Sequence, residues 1–352
     1  MKIISLESFK IKITQKELDD LSNRLANTRW PDEVEDSNWN YGANLSYMKE
    51  LINYWQKDYD WHRKEAELNQ FSHYLTKIDG HNIHFIHEHG KGPNPTPIII
   101  THGWPGSFYE ICKLIPLLTD PESYGGEPDE SFDIIIQSLP GFGFSDHNIK
   151  NDVNTLSWTA QLWAKLMTKE LGYKHFASAG GDFGSIVTQY LADLHPELLI
   201  GIHLTYIGYY TDVLGESDLS KNEKSYLNNL QEWITREGAY FMIHSTKPQT
   251  LSYGLNDSPV GLAAWITEKF QSWTDKSSII GRISKDELLT NIMIYWVSET
   301  INSSIRTYAS TAPEKMKPLP SIPTAFASFP ETTFINAFPF CPSFLKKILN
   351  TK

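Results

Sequence analysis

Cysteine, long apolar runs, basic residues and late histidines are all scarce in this sequence. The only two cysteines, Cys112 and Cys341, are far apart and follow no metal-type spacing. They read as free thiols of a reducing compartment, which argues against a disulfide scaffold or a zinc framework. No stretch approaches the ~20 consecutive apolar residues of a membrane span. Met1-Lys2-Ile3-Ile4-Ser5-Leu6-Glu7 is too short an apolar run for a signal peptide, so the expected location is cytoplasmic. Lysine and arginine total 31 against 42 aspartates and glutamates, a formal charge of −11. Such a chain repels phosphate backbones, which excludes nucleic acid as a partner. No internal repeat or low-complexity tract is visible. Of twelve histidines the last is His244.

What is present is ample apolar material. A hydrophobic content of 40% in 352 residues suffices for one large domain with an inserted cap, or for two domains. Residues 1–75 read as a helical lead segment. Lys16 to Arg24 has helical spacing, Trp30-Pro31 breaks it, and Leu45, Met48, Leu51, Ile52 and Trp55 recur at a helical period. These apolar faces need a larger body to cover them. From residue 76 strands and helices alternate. Strands are expected at 83–87, 97–101, 132–138, 174–179 and 198–204, with helices at 157–171 and 186–194 between them. One more helix follows the 97–101 strand, presenting Ile111, Leu114, Ile115 and Leu118 on one face. This rhythm predicts an α/β fold with a mostly parallel sheet covered by helices on both faces. Residues 206–312 break it with a helical, aromatic-rich stretch. A strand at 322–329 then returns to the sheet. The expected division is a lead segment at 1–75, a core at 76–205 and 313–352, and a helical cap at 206–312.

The most informative stretch is Gly180-Gly181-Asp182-Phe183-Gly184-Ser185, set between a predicted strand and a predicted helix. That context fits the G-x-nucleophile-x-G elbow, in which a sharp turn exposes the central side chain. The same letters also make an ordinary turn. A carboxylate in the nucleophile position suits displacement at a saturated carbon, with an alkyl ester formed on Asp182.

Several segments together resemble the epoxide hydrolases of the α/β-hydrolase superfamily, in their microsomal and juvenile-hormone branch. They are Trp30-Pro31-Asp32, Tyr59-Asp60-Trp61, Ile83-His84-Phe85-Ile86-His87, His102-Gly103-Trp104-Pro105-Gly106-Ser107, Pro140-Gly141-Phe142-Gly143-Phe144-Ser145 and the elbow itself. The likeness runs from about residue 8 to 346. It implies that Asp182 is the nucleophile and that two cap tyrosines, Tyr240 in Glu237-Gly238-Ala239-Tyr240 and Tyr308 in Ile305-Arg306-Thr307-Tyr308, donate protons to the epoxide oxygen. In the second, hydrolytic step the backbone N–H groups of Trp104 and Phe183 are the natural oxyanion hole. No cofactor and no metal are implied. The implied partners are a small hydrophobic epoxide and water.

The late part of the chain departs from the family. The family's acid follows the pattern F-P-x-acid, but here Phe329-Pro330-Glu331-Thr332 puts Thr332 in that position and Glu331 one place early. Glu331 is therefore a candidate for a displaced charge-relay acid. The family's base histidine should come later still, yet no histidine follows His244. The last strand, histidine loop and terminal helix are expected to be missing, hydrolysis of the ester to be impaired, and the uncovered sheet edge to favour a homo-oligomer. His102 reads as structural, His147 as near the surface and His203 as facing the core or cap hinge. His81, His84, His87 and His89 read as solvated strand residues rather than metal ligands, because His84 points away from His87 and His89. Two competing functions remain: a haloalkane dehalogenase, which Phe183 disfavours because it offers no side-chain donor, and a decayed protein that only binds hydrophobic ligands.

Overall fold

An eight-stranded sheet organises the chain. The structure is a computed structural model that describes residues 6–147, 155–206, 219–274, 283–310 and 321–327. The strands are β1 (Glu7–Ser8), β2 (His73–Ile78), β3 (His81–Glu88), β4 (Thr96–Thr101), β5 (Phe132–Gln137), β6 (Phe176–Gly180), β7 (Leu199–Leu204) and β8 (Thr324–Phe326). Their spatial order is β1-β2-β3-β5-β4-β6-β7-β8. The pairs β1–β2, β2–β3 and β3–β5 are antiparallel, and the four pairs from β5 to β8 are parallel. The central strands read as near-continuous apolar runs because both faces are covered. Ile99, Ile134, Ile135 and Ile136 are fully buried.

Helices α5 (Leu156–Lys165) and α6 (Phe183–Leu194) lie against each other in the core, α5 continuing through a π turn at Leu166–Glu170. Trp163 on α5 and Val187 and Leu191 on α6 are fully buried. The helix expected after β4 is instead a 3₁₀ turn at Phe108–Ile111 followed by a short α4 (Leu114–Thr119). Pro116 lacks the N–H that a continuous helix would use, and of the four residues expected on the buried face Leu114 is 43% exposed. His203 also departs from expectation, since its side of β7 is exposed.

Between β7 and β8 the chain is helical: α7 (Lys221–Glu237), α8 (Ala239–Thr246), α9 (Pro248–Asp257), α10 (Pro259–Trp273) and two further helices, Lys285–Ser298 and Ile301–Ser310. The lead segment forms α1 (Gln15–Ala26), α2 (Leu45–Lys57) and α3 (Trp61–Leu68). Thr14 and Glu17 close α1 with a reciprocal capping box. Met48, Leu51, Ile52 and Trp55 are the buried stripe of α2. The larger body that covers this segment includes the helical insertion. Asp286 accepts from Tyr54 at 2.7 Å and pairs with Arg63 at 2.6 Å and Lys64 at 3.3 Å, and Arg24 pairs with Asp257 at 2.7 Å. No described helix is long and apolar enough to cross a membrane.

Because Leu51 is fully buried in the core shared with the sheet, Leu51→Ala should lower stability by about 2–5 kcal/mol. Denaturant unfolding followed by both tryptophan fluorescence and circular dichroism checks this. An unchanged midpoint would contradict this burial, and transitions that separate between the two probes would show that the lead segment unfolds apart from the sheet.

Candidate active site at the ends of the parallel strands

Asp182 sits where β6 turns into α6, with φ 49° and ψ −123°. A non-glycine residue at positive φ costs about 1–3 kcal/mol and persists only when its surroundings impose it. The neighbouring glycines do so. A Cβ on Gly180 would meet the Gly184 backbone, and one on Gly184 would meet the Thr101 carbonyl of β4. Only bare backbone lets helix and strand approach this closely. The helix begins at Phe183, three residues earlier than its apolar pattern suggested.

The strand end of β4 carries the loop His102-Gly103-Trp104-Pro105-Gly106-Ser107. Trp104 N–H donates to Asp182 Oδ1 at 2.9 Å, and the Phe183 N–H also bonds the carboxylate. A Cβ on Gly103 would fall on the Asp182 side chain. Burial raises the Asp182 pKa above the usual carboxylate value, and the two amides oppose that shift. The side chain is nonetheless reachable by water. Its open side moderates the upward push.

The helical insertion holds the loop from above. Asn291 Nδ2 donates to the Pro105 carbonyl at 2.7 Å, Tyr295 hydroxyl to the Gly106 carbonyl at 2.7 Å, and Ser107 Oγ to Asn291 Oδ1 at 2.8 Å. It also supplies both tyrosines. Tyr240 on α8 stacks on Trp104, centroids 5.6 Å apart and planes 7° from parallel. Tyr308, on helix Ile301–Ser310, meets Phe183 at 4.7 Å and Tyr240 edge-on at 5.9 Å. Burial, then Tyr240 and Asp182, push the Tyr308 pKa far above its ordinary value. Tyr308 is thus a neutral phenol throughout the physiological range. Asp182, Trp104, Phe183, Tyr240 and Tyr308 form one cluster. Glu331 lies outside the described residues, as does Cys341.

Two described histidines lie at this cluster or in its loop. His102 bonds the Gly103 carbonyl through Nδ1 and accepts from Leu139 N–H through Nε2. Both nitrogens are committed, and burial lowers its pKa to about 4, in line with a structural role. His244, four residues after Tyr240 on the same helix, contacts Tyr308 at 4.9 Å and Trp104 at 4.7 Å. Its Nε2 accepts from Trp265 at 3.2 Å, and burial lowers its pKa to about 3. The i, i+4 spacing from Tyr240 was the available sign that His244 belongs here.

Glu110 is the other residue that sequence reasoning missed. Surrounding protein, followed by the nearby Asp182, raises its pKa to about 8, with the Gly103 N–H opposing the shift, although the residue remains open to water. A Cβ on Gly106 would fall on that carboxylate. Two consecutive amides, Gly103 and Trp104, therefore hold two neighbouring carboxylates. Its only sequence signature is a position eight residues beyond His102, on the turn that follows the loop.

Comparison with known proteins places these features in a family. The family described as epoxide hydrolase N terminus matches residues 6–111, and that described as alpha/beta hydrolase fold matches residues 96–241. A protein of Stigmatella aurantiaca (strain DW4/3-1), provisionally named an epoxide hydrolase, is 46% identical over 305 residues, covering 86% of this chain and 69% of that protein. Epoxide hydrolase 1 of Oryctolagus cuniculus is 38% identical, covering 93% of this chain and 78% of its own length. The solved structure of Aspergillus niger epoxide hydrolase superimposes with a TM-score of 0.81 at 29% identity, covering 94% of this chain and 85% of that one.

Glu110 yields a pH prediction. Its folded pKa of about 8 lies above the ordinary 4.5, so the native state holds this proton more tightly than the unfolded state. Stability therefore falls as pH rises between those values. Replacing it removes the charge, so Glu110→Gln should flatten the decline in unfolding free energy between pH 5 and pH 8. A decline as steep in the variant as in the parent chain would contradict this assignment.

Proposed function

We propose, for a chain that belongs to the epoxide hydrolase family within the α/β-hydrolase fold, that Asp182 opens hydrophobic epoxides through an ester on its own carboxylate. The supporting observation is the joint setting of that carboxylate, its two backbone amides and two phenols in mutual ring contact in one cluster. An Asp182 oxygen forms a bond to an epoxide carbon, the ring C–O bond breaks, and its electron pair stays on the ring oxygen. That oxygen takes a proton from Tyr308 or Tyr240. Buried phenols suit the step because they remain neutral until a strongly basic alkoxide develops.

The second step is acyl chemistry. Water adds to the ester carbonyl, and the N–H groups of Trp104 and Phe183 receive the oxyanion. Collapse releases a vicinal diol and restores the carboxylate. The attacking water needs a base. Both nitrogens of His102 are engaged, Nε2 of His244 is engaged, and each has a pKa far below neutrality. No histidine follows His244 in the 352 residues. Loss of a general base typically slows a step by ~10² to 10⁴-fold. Ester should therefore accumulate on the 352-residue chain. The helical insertion between β7 and β8 acts in this reading as the cap that carries both proton donors, and the reading needs neither cofactor nor nucleic acid.

Incubation with styrene oxide followed by intact mass spectrometry tests the proposal. The expected result is an increase equal to one epoxide, absent in Asp182→Asn and slowed at least ~10²-fold in Tyr308→Phe. Absence of both ester and diol would sink the reading. Rapid multiple turnover without ester would sink the impaired second step alone. Bromide release from a bromoalkane in place of epoxide opening would favour the dehalogenase alternative.

A further inference from the structure

Asp133, near the start of β5, is a buried carboxylate with no permanent cation beside it. Its Oδ1 accepts from Gly90 N–H at 2.9 Å and lies 3.4 Å from His89 Nδ1. Its Oδ2 accepts from the Tyr173 hydroxyl at 2.8 Å. Among the described residues the only ion-pair partner it has is His89, which is charged only when protonated. A carboxylate withdrawn from water in this way is costly without a compensating positive charge.

The surrounding hydrogen bonds fix a tautomer. Tyr173 has one proton, and it goes to Asp133. Its oxygen therefore accepts from His87 Nε2, 3.0 Å away. With its proton on Nε2, His87 keeps its lone pair on Nδ1. His87 and His89 have ring centroids 4.4 Å apart. One donor atom from each of His87, His89 and Asp133 lies within 4.8 Å of the other two.

We propose that His87, His89 and Asp133 form a binding site for a divalent transition-metal ion of the zinc type, with Tyr173 as its outer support. Two imidazoles and one carboxylate suit zinc, cobalt, nickel or copper ions better than magnesium or calcium, which take all-oxygen sets. Donors about 2.0–2.1 Å from a tetrahedral ion stand ~3.4 Å apart, so the set must close by about 1 Å. The His89 side chain, 72% exposed, is free to rotate that far and leaves room for water as a fourth ligand. An imidazole whose far N–H is anchored, here to a phenol that is itself anchored on the ligating carboxylate, is the usual way a ligating histidine is oriented.

The ion would clasp the end of β3 to the start of β5. Asp182 follows the opposite end of the parallel strands, ~15 Å away at ~3.3 Å per residue. The site is therefore structural and separate from the reaction. Alternation along the strand put His87 and His89 on one face. The third ligand arrives 44 residues later from the neighbouring strand, which the sequence alone did not reveal.

The test is calorimetric titration of chelator-treated full-length protein with zinc chloride, together with visible spectroscopy on adding cobalt chloride. One ion per chain and tetrahedral cobalt bands are expected. His89→Ala should abolish binding. Tyr173→Phe should weaken it about 10- to 100-fold. His62→Ala, at an exposed histidine elsewhere that contacts Gln15, should leave it unchanged, as should Asp182→Asn. Epoxide opening by His89→Ala should match the parent chain. Absence of binding, or binding that survives His89→Ala, would overturn the proposal. Equal loss in His62→Ala would also overturn it.

Discussion

The hydrogen bond from the Trp104 backbone to the Asp182 carboxylate is the contact on which the remaining geometry depends. It joins the ends of two neighbouring parallel strands, β4 and β6, at a non-glycine residue held at positive φ. Neither end could hold this position alone. The elbow requires glycine on both sides so that helix, strand and loop backbones can touch. The loop requires donors for its Pro105 and Gly106 carbonyls, and a single helix of the insertion supplies them through Asn291 and Tyr295. Strain at Asp182 is stored because every neighbour is already committed elsewhere.

The electrostatics follow from that enclosure. Burial makes Asp182 and Glu110 harder to ionise and Tyr308 harder still. A carboxylate with raised proton affinity is also a more basic oxygen, which suits the attack on carbon proposed for Asp182. A phenol with raised pKa gives up its proton only to a developing alkoxide, not to bulk water. Both effects arise from the protein packed around these groups, although Asp182 stays open to water, and the amides of Trp104 and Phe183 oppose the upward shift there.

Much of this was legible because backbone demands leave marks in sequence. Apolar runs at 97–101 and 132–138 announced buried parallel strands, and both formed within a residue of expectation. The Gly-Gly-Asp-Phe-Gly pattern announced the elbow, because few other residues permit that turn. Tyr240 and Tyr308 were reachable only through resemblance, since one tyrosine among seventeen carries no mark of its role. Glu110 and His244 were not read, because their importance comes from what surrounds them in space. His84 was misread as solvated. It is fully buried, bonding His73 and Ser138, and a polar residue inside a strand looks the same in sequence whether its partners are protein or water.

The lead segment is linked to the site through one helix. On Lys285–Ser298, Asp286 faces Tyr54, Arg63 and Lys64 of the lead segment, and Thr290 faces Tyr59. Asn291 and Tyr295, one turn apart on the same helix, face the Trp104 loop. Burial holds the Tyr59 hydroxyl far above its ordinary pKa, so this link stays a neutral hydrogen bond. The helix thus has two working faces, one anchored by the N-terminal segment and the other anchoring the Trp104 loop. Displacing the first face by a fraction of an ångström would displace the second. The N-terminal helices are therefore best understood as an outer brace of the Trp104 loop and, through it, of Asp182, joined by a chain of side-chain hydrogen bonds.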